Sequence, residues 1–210
     1  MSLSYQHVYQ PGTDPSAPPL LLLHGTGGDE NDLVPLAQRL SPGSALLSPR
    51  GDVLENGAPR FFRRFAEGVF DLDDVRKRTH ALADFIAAAG RQYGFDPRRL
   101  TAIGFSNGAN IATSLLLLRP EVLGDAVLLR AMVVLDQPAA AGSLTGRRVL
   151  LANGRQDPIV PSNHPTILAS LLQAGGATVT AHLAPAGHGL TSGDLTATAS
   201  FLARPPAGQS

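Results

Sequence analysis

The chain has 210 residues, 43% hydrophobic and 16% charged, which is enough for one well-buried core and does not require a second domain. Seventeen basic residues balance seventeen acidic ones, so the overall field draws in neither nucleic acid nor an anionic membrane surface. Cysteine is absent, which excludes disulfides, thiolate metal sites and a cysteine nucleophile.

Residues 1–10 are polar, without a basic segment leading into an apolar one, and no apolar run approaches a membrane span; the expectation is a cytoplasmic protein. Residues 4–9 can add an antiparallel edge strand, and the Pro/Gly-rich residues 11–19 form a turn. Apolar runs then alternate with helix-length segments. Strands are predicted over residues 20–23, 45–47, 100–105, 126–129, 149–152 and 179–183, and helices over 31–40, 73–93, 107–118, 164–174 and 195–202, with a tail at 204–210. Strands alternating with helices need crossover connections. The expected fold is therefore α/β: a single domain over residues 1–210 with a mostly parallel, doubly wound sheet and helices on both faces. One stretch, residues 49–70, reads as a long irregular loop, a length that is uncommon unless functional. It carries Phe61, Phe62, Phe65 and Phe70 among Arg60, Arg63 and Arg64.

Gly104-Phe105-Ser106-Asn107-Gly108 lies at the end of the predicted strand over residues 100–105 and opens a helix. That context turns a common pattern into a nucleophile elbow, in which the serine sits on a sharp turn that only glycine neighbours permit. A plain helix N-cap is the competing role for Ser106. Upstream, residues 20–23 run into His24-Gly25-Thr26-Gly27-Gly28. A loop in that position can bring one backbone N–H beside the residue after the nucleophile, so the oxyanion donors are assigned to Thr26 and Asn107. A phosphate-binding turn is the alternative, but a Walker lysine and G-x-G-x-x-G spacing are both missing. His24, immediately before Gly25, is read as bracing this loop.

Asp157 lies in the polar turn after the strand at 149–152, and His188 lies between Gly187 and Gly189 after the last predicted strand. Both fall at carboxyl ends of strands, where sites of open α/β sheets collect. Ser106, Asp157 and His188 then stand in the order nucleophile, acid, base. Asp136 is the runner-up acid, and His164 and His182 are the runner-up bases.

These residues resemble the phospholipase/carboxylesterase family, a compact α/β-hydrolase branch that includes acyl-protein thioesterases; the likeness spans residue 20 to about residue 202. Arg50-Gly51-Asp52, Arg60-Phe61-Phe62-Arg63-Arg64, Glu67-Gly68-Val69-Phe70-Asp71 and Gly104-Phe105-Ser106-Asn107-Gly108-Ala109-Asn110 are similar to a bacterial carboxylesterase subgroup associated with hydroquinone and catechol stress. The thioesterases typically carry Gln and Gly where this chain has Asn107 and Ala109, which points away from protein deacylation. The resemblance implies a serine carboxylesterase of small acyl or aryl esters, with no large lid, no cofactor and no metal, and with a homodimer as one assembly open to it. Thioesterase or lysophospholipase activity is the alternative, and a non-catalytic ligand-binding protein of the same fold is the alternative of another class. Phe61, Phe62 and Phe65 are candidates for the substrate pocket, and packing of the 49–70 segment is their other reading.

Overall fold

A computed structural model describes residues 3–203, so the expected tail at 204–210 lies outside the described residues. In chain order, β1 (His7–Gln10) and β2 (Leu20–Leu23) precede α1 (Val34–Leu40) and β3 (Leu46–Pro49). Two short hairpins follow, β4 (Val53–Glu55) with β5 (Ala58–Arg60) and β6 (Arg64–Ala66) with β7 (Val69–Phe70). Then come α2 (Leu72–Tyr93), β8 (Thr101–Phe105), α3 (Asn107–Leu118), β9 (Ala126–Leu129), β10 (Arg148–Gly154), α4 (His164–Ala174), β11 (Thr178–Ala184) and α5 (Ser192–Leu202).

Seven strands form one sheet in the order β1-β3-β2-β8-β9-β10-β11. Only the edge strand β1 is antiparallel, paired with β3; the other neighbours are parallel. Side chains alternate between the faces of a strand, and the core divides accordingly. Leu20, Leu22, Ile103, Val127 and Leu150 pack with Val34 and Ala37 of α1 and Phe201 of α5. Leu21, Leu23, Ala102, Leu128 and Leu151 pack with residues of α2, α3 and α4. Helices on both faces explain why all four leucines of β2 are buried and why such strands read as unbroken apolar runs.

The longest helix, α2, starts at Asp71, whose carboxylate accepts the N–H of Asp74, and ends at Gly94 with φ 77°. Its buried positions, Val75, Thr79, Leu82, Ala83, Ile86 and Ala89, recur at helical spacing. Among the described residues no helix is long and apolar enough to cross a membrane.

Residues 49–70 are not the irregular loop expected. In the first hairpin Asn56 (φ 51°) and Gly57 (φ 84°) both take positive φ, the arrangement of a tight two-residue turn that matches strand twist. Arg60 and Arg64 both reach Glu55, at 3.2 and 3.0 Å, which ties the two hairpins together.

The chain builds outward from β2 to β3 and then returns to β8 on the other side of β2. Strand order therefore reverses between β2 and β8, and the crevice at their carboxyl ends is where a ligand site of such a sheet forms.

Candidate active site

Ser106 stands in the turn between β8 and α3, with φ 51° and ψ −114°, a strained backbone for a residue with a side chain. The strain is imposed by packing. A Cβ at Gly104 would lie 2.6 Å from the carbonyl oxygen of Gly108, and one at Gly108 would overlap the carbonyl of Leu23. Only glycines let α3 leave the sheet this closely. Ser106 occupies the N-cap position of α3 but makes no side-chain cap bond. Its hydroxyl turns instead to His188, with Oγ 3.0 Å from Nε2.

His188 lies on the loop after β11, and its Nδ1 is 2.8 Å from Oδ2 of Asp157, whose side chain is fully buried. Oδ1 of the same carboxylate accepts the N–H groups of Ile159 and Val160 at 2.8 and 3.2 Å, which fixes its orientation. A carboxylate only accepts, so the proton of the neutral imidazole sits on Nδ1 and Nε2 is left to accept the Ser106 hydroxyl. The His188 loop can approach because Gly154 ends β10: a Cβ there would overlap the carbonyl oxygens of Ala186 and Gly187.

The runner-up residues lie elsewhere. Asp136 is exposed and bonds to Gln137. His164 is the first residue of α4, and its Nδ1 accepts the N–H of Val133 at 3.0 Å. His182 is within β11, 3.6 Å from Asp194.

His24 braces its loop. It is buried, its Nε2 accepts the N–H of Gly51 at 2.9 Å, and its Nδ1 lies 2.7 Å from the carbonyl oxygen of Gly25. Burial lowers its pKa from the ordinary histidine value, in keeping with a neutral ring that accepts at Nε2. Thr26 follows, and among the described residues neither its N–H nor that of Asn107 has a protein acceptor. Both residues border the same cleft as Ser106 and His188. Three consecutive residues at the end of the first hairpin and just after it hold this region: Pro59 accepts the N–H of Gly27 at 3.0 Å, Arg60 donates to Thr26 Oγ1 at 2.6 Å, and Phe61 donates its N–H to Asn107 Oδ1 at 2.8 Å.

The cleft measures about 230 Å³. Phe70, Phe105, Met132 and Ile159 form its apolar part, and Arg60, Arg64, Glu67 and Asn110 its polar part. The aromatic candidates need correction. Phe61 and Phe62 are 1% and 0% exposed and belong to the core beneath the hairpins, with Phe61 against the His24 ring and Phe62 edge-on to Phe70. Phe65 is 71% exposed and lies outside the cleft lining. Phe70, which closes the second hairpin, and Phe105, one residue before the serine, take the place assigned to them.

A larger cavity of about 590 Å³ opens beside Arg98, Thr101, Arg147 and Arg148, at the amino ends of β8 and β10 and thus at the opposite edge of the sheet. The smaller cleft is the one that holds the chemistry-bearing groups.

Two residues that the sequence analysis passed over bear on the site. Arg130, directly after β9, and Asp194, in the first turn of α5, form a fully buried ion pair at 2.7 Å. A sequence signal existed for Asp194, since Thr191-x-x-Asp194 is a capping-box spacing and the structure forms that box.

A family model described as Phospholipase/Carboxylesterase matches residues 5–204. The Bacillus subtilis (strain 168) protein MhqD is 42% identical over 186 residues, which cover 89% of this chain and 92% of that protein. The structure of a Bacillus cereus carboxylesterase is similar with a TM-score of 0.91 and 46% identity, covering 95% of this chain and 93% of the other. The Agrobacterium tumefaciens str. C58 protein Atu2452 follows with a TM-score of 0.85 and 42% identity, over 95% and 96% of the two chains. The chain, with its α/β-hydrolase sheet and helices, belongs to the phospholipase/carboxylesterase family.

Proposed function

We propose that this protein is a serine carboxylesterase that hydrolyses small carboxylic esters through an acyl-enzyme. The observation that carries the proposal is the hydroxyl–imidazole–carboxylate relay at 3.0 and 2.8 Å, set beside two N–H groups without an acceptor among the described residues. Ser106 Oγ attacks the ester carbonyl carbon as its proton passes to His188 Nε2. The carbonyl oxygen becomes an oxyanion and accepts the N–H groups of Thr26 and Asn107, donors worth roughly 3 kcal/mol each in comparable acyl transfers. Collapse expels the alcohol, which takes the proton from His188 and leaves the acyl group on Ser106. A water then gives its proton to His188 and attacks the acyl carbon; Ser106 recovers that proton as the acid departs. Asp157 holds the ring in the required tautomer and stabilises the imidazolium formed in each half-reaction.

Small esters are favoured by the cleft. At about 230 Å³ it lies below the range of roughly 300–1,000 Å³ typical of drug-sized ligands. Its two arginines already have carboxylate partners, Arg60 in Glu55 and Arg64 in Glu55 and Glu67, so neither guanidinium is left free to select an acidic substrate.

The test is kcat/KM over p-nitrophenyl esters from acetate to palmitate, with Ser106→Ala as control. Short-chain preference that the substitution abolishes is the expected result. Long-chain preference would move the assignment to lipids or acyl thioesters, and absence of Ser106-dependent turnover across the series would overturn it.

A further inference from the structure

We propose that Arg130 and Asp194 form a positioning pair for His188, set from the first turn of α5; the proposal rests on the hydrolase assignment above. His188 stands between two glycines, so its own backbone supplies little stiffness. An external brace is present. Arg130 Nε donates to the carbonyl oxygen of Gly187 at 3.2 Å, and Nη2 donates to that of Gly189 at 2.6 Å. These are the carbonyls immediately before and after His188.

The remaining N–H groups of the guanidinium are also engaged. Nη1 reaches Ala152 O at 3.0 Å and Asp194 Oδ1 at 3.1 Å, and Nη2 reaches Asp194 Oδ2 at 2.7 Å. Asp194 is fixed in turn, since its Oδ2 accepts both the N–H and the hydroxyl of Thr191 at 2.7 and 2.8 Å within the capping box of α5. Contacts therefore run without a gap from the start of α5, through the carboxylate and the guanidinium, to both flanks of the imidazole.

Burial makes a purely stabilising role a poor account of this arrangement. Both side chains are 0% exposed, and a buried ion pair commonly adds no more stability than apolar residues of similar volume. Arg130 also holds a positive φ of 60°, which a residue with a side chain takes only where its surroundings enforce it. What an ion pair provides here and apolar packing cannot is a rigid fork of donors that reaches two carbonyls and a carboxylate together.

The proposal is tested with Arg130→Lys, which keeps the charge and loses the fork, and with Asp194→Asn, which keeps the shape and loses the charge. Each purified variant is measured for Tm, for kcat and KM on p-nitrophenyl acetate, and for the downfield proton resonance of His188 Nδ1–H. The expected result is a kcat lower by about 10- to 100-fold, the scale of a small misplacement of a reacting group, with KM within about twofold and a shifted or broadened His188 resonance. A folded variant with lower Tm but wild-type kcat and an unchanged resonance would show that the pair only supports the fold, and would overturn the proposal. Should Arg130→Lys fail to fold, Asp194→Asn is read by the same criteria. Absence of Ser106-dependent turnover in the wild type would count against the hydrolase assignment instead. The resonance then decides alone: its loss in either folded variant supports the positioning role, and its persistence overturns it.

Discussion

Phe61 donates its backbone N–H to Asn107 Oδ1 at 2.8 Å across 46 positions of sequence, so the residue after Ser106 is oriented by the segment that follows the first hairpin. The two preceding residues contact the other side of the site, with Arg60 on Thr26 Oγ1 and Pro59 on the N–H of Gly27. The segment thus sets the spacing of the two proposed oxyanion donors. An oxyanion hole works through donors held in advance at the place where charge develops, so loosening this link affects rate beyond its effect on stability.

Asn107→Ala leaves the Phe61 N–H without its acceptor in a buried place, which costs about 1–3 kcal/mol. A kcat lower by roughly tenfold or more is expected as well, from displacement of the donor on residue 107. Denaturant unfolding and ester kinetics on the same preparation check both effects. Reduced stability with wild-type kcat would remove the link between this contact and the donors.

Gly108→Ala is the more severe of two substitutions at the elbow. The new methyl would overlap the Leu23 carbonyl and come within 2.6 Å of that of His24, and backbone on a central strand cannot move aside cheaply. Gly104→Ala meets Gly108 O at 2.6 Å and Ala109 N at 2.7 Å, a milder conflict. Overpacking of this kind costs typically about 1–3 kcal/mol and occasionally more. Gly108→Ala should lie at or beyond the upper end, with loss of Ser106 reactivity toward an organophosphonate; equal unfolding free energies for the two variants would contradict the ranking.

The aromatic residues of the 49–70 segment separate by burial. Phe62→Ala empties a fully buried position and should cost about 3–5 kcal/mol. Phe65→Ala, at 71% exposure, should change stability by less than about 0.5 kcal/mol and leave the ranking of esters by chain length unaltered. Phe70→Ala is the change that should alter the ranking, because its ring borders the cleft. A ranking that shifts with Phe65→Ala and not with Phe70→Ala would reverse the assignment of the pocket wall.

That separation marks where the sequence was legible and where it was not. Residues 20–23 and 126–129 were read with correct limits because a strand covered on both faces needs apolar residues at every position. Ser106 and Asp157 stood out because each follows such a strand, and His188, after the exposed edge strand β11, because a histidine between two glycines has no core to fill; the structure brings all three together at the carboxyl ends of the strands. The hairpins gave no comparable signal. Their strands are two or three residues long, mix Arg and Glu with apolar residues, and depend on ion pairs between them, although Asn56-Gly57 was a turn signal left unread. Without the hairpins, the sequence leaves Phe61 and Phe62 open between pocket wall and packing, and the structure decides for packing. Arg130 was harder still. A charge between Leu129 and Ala131 demands a buried partner, but that partner lies 64 residues downstream, a pairing that only the folded sheet defines.

The last prediction concerns acid stability. Burial holds the pKa of His24 below the ordinary histidine value, while in the unfolded chain the ring takes up a proton below about pH 6.5. In that window the unfolded state binds more protons than the native state, so this contribution is fully present above about pH 6.5 and declines as the pH falls. His24→Ala removes the titrating group and also orphans the Gly51 N–H, a loss of about 1–3 kcal/mol at neutral pH. Urea unfolding at a series of pH values should show the gap between wild type and variant narrowing as the pH is lowered through the window. His164, whose pKa burial also lowers, is present in both proteins and so does not affect the difference. A gap that stays constant or widens in acid would mean that His24 is protonated in the native state, in conflict with an Nε2 that accepts the N–H of Gly51.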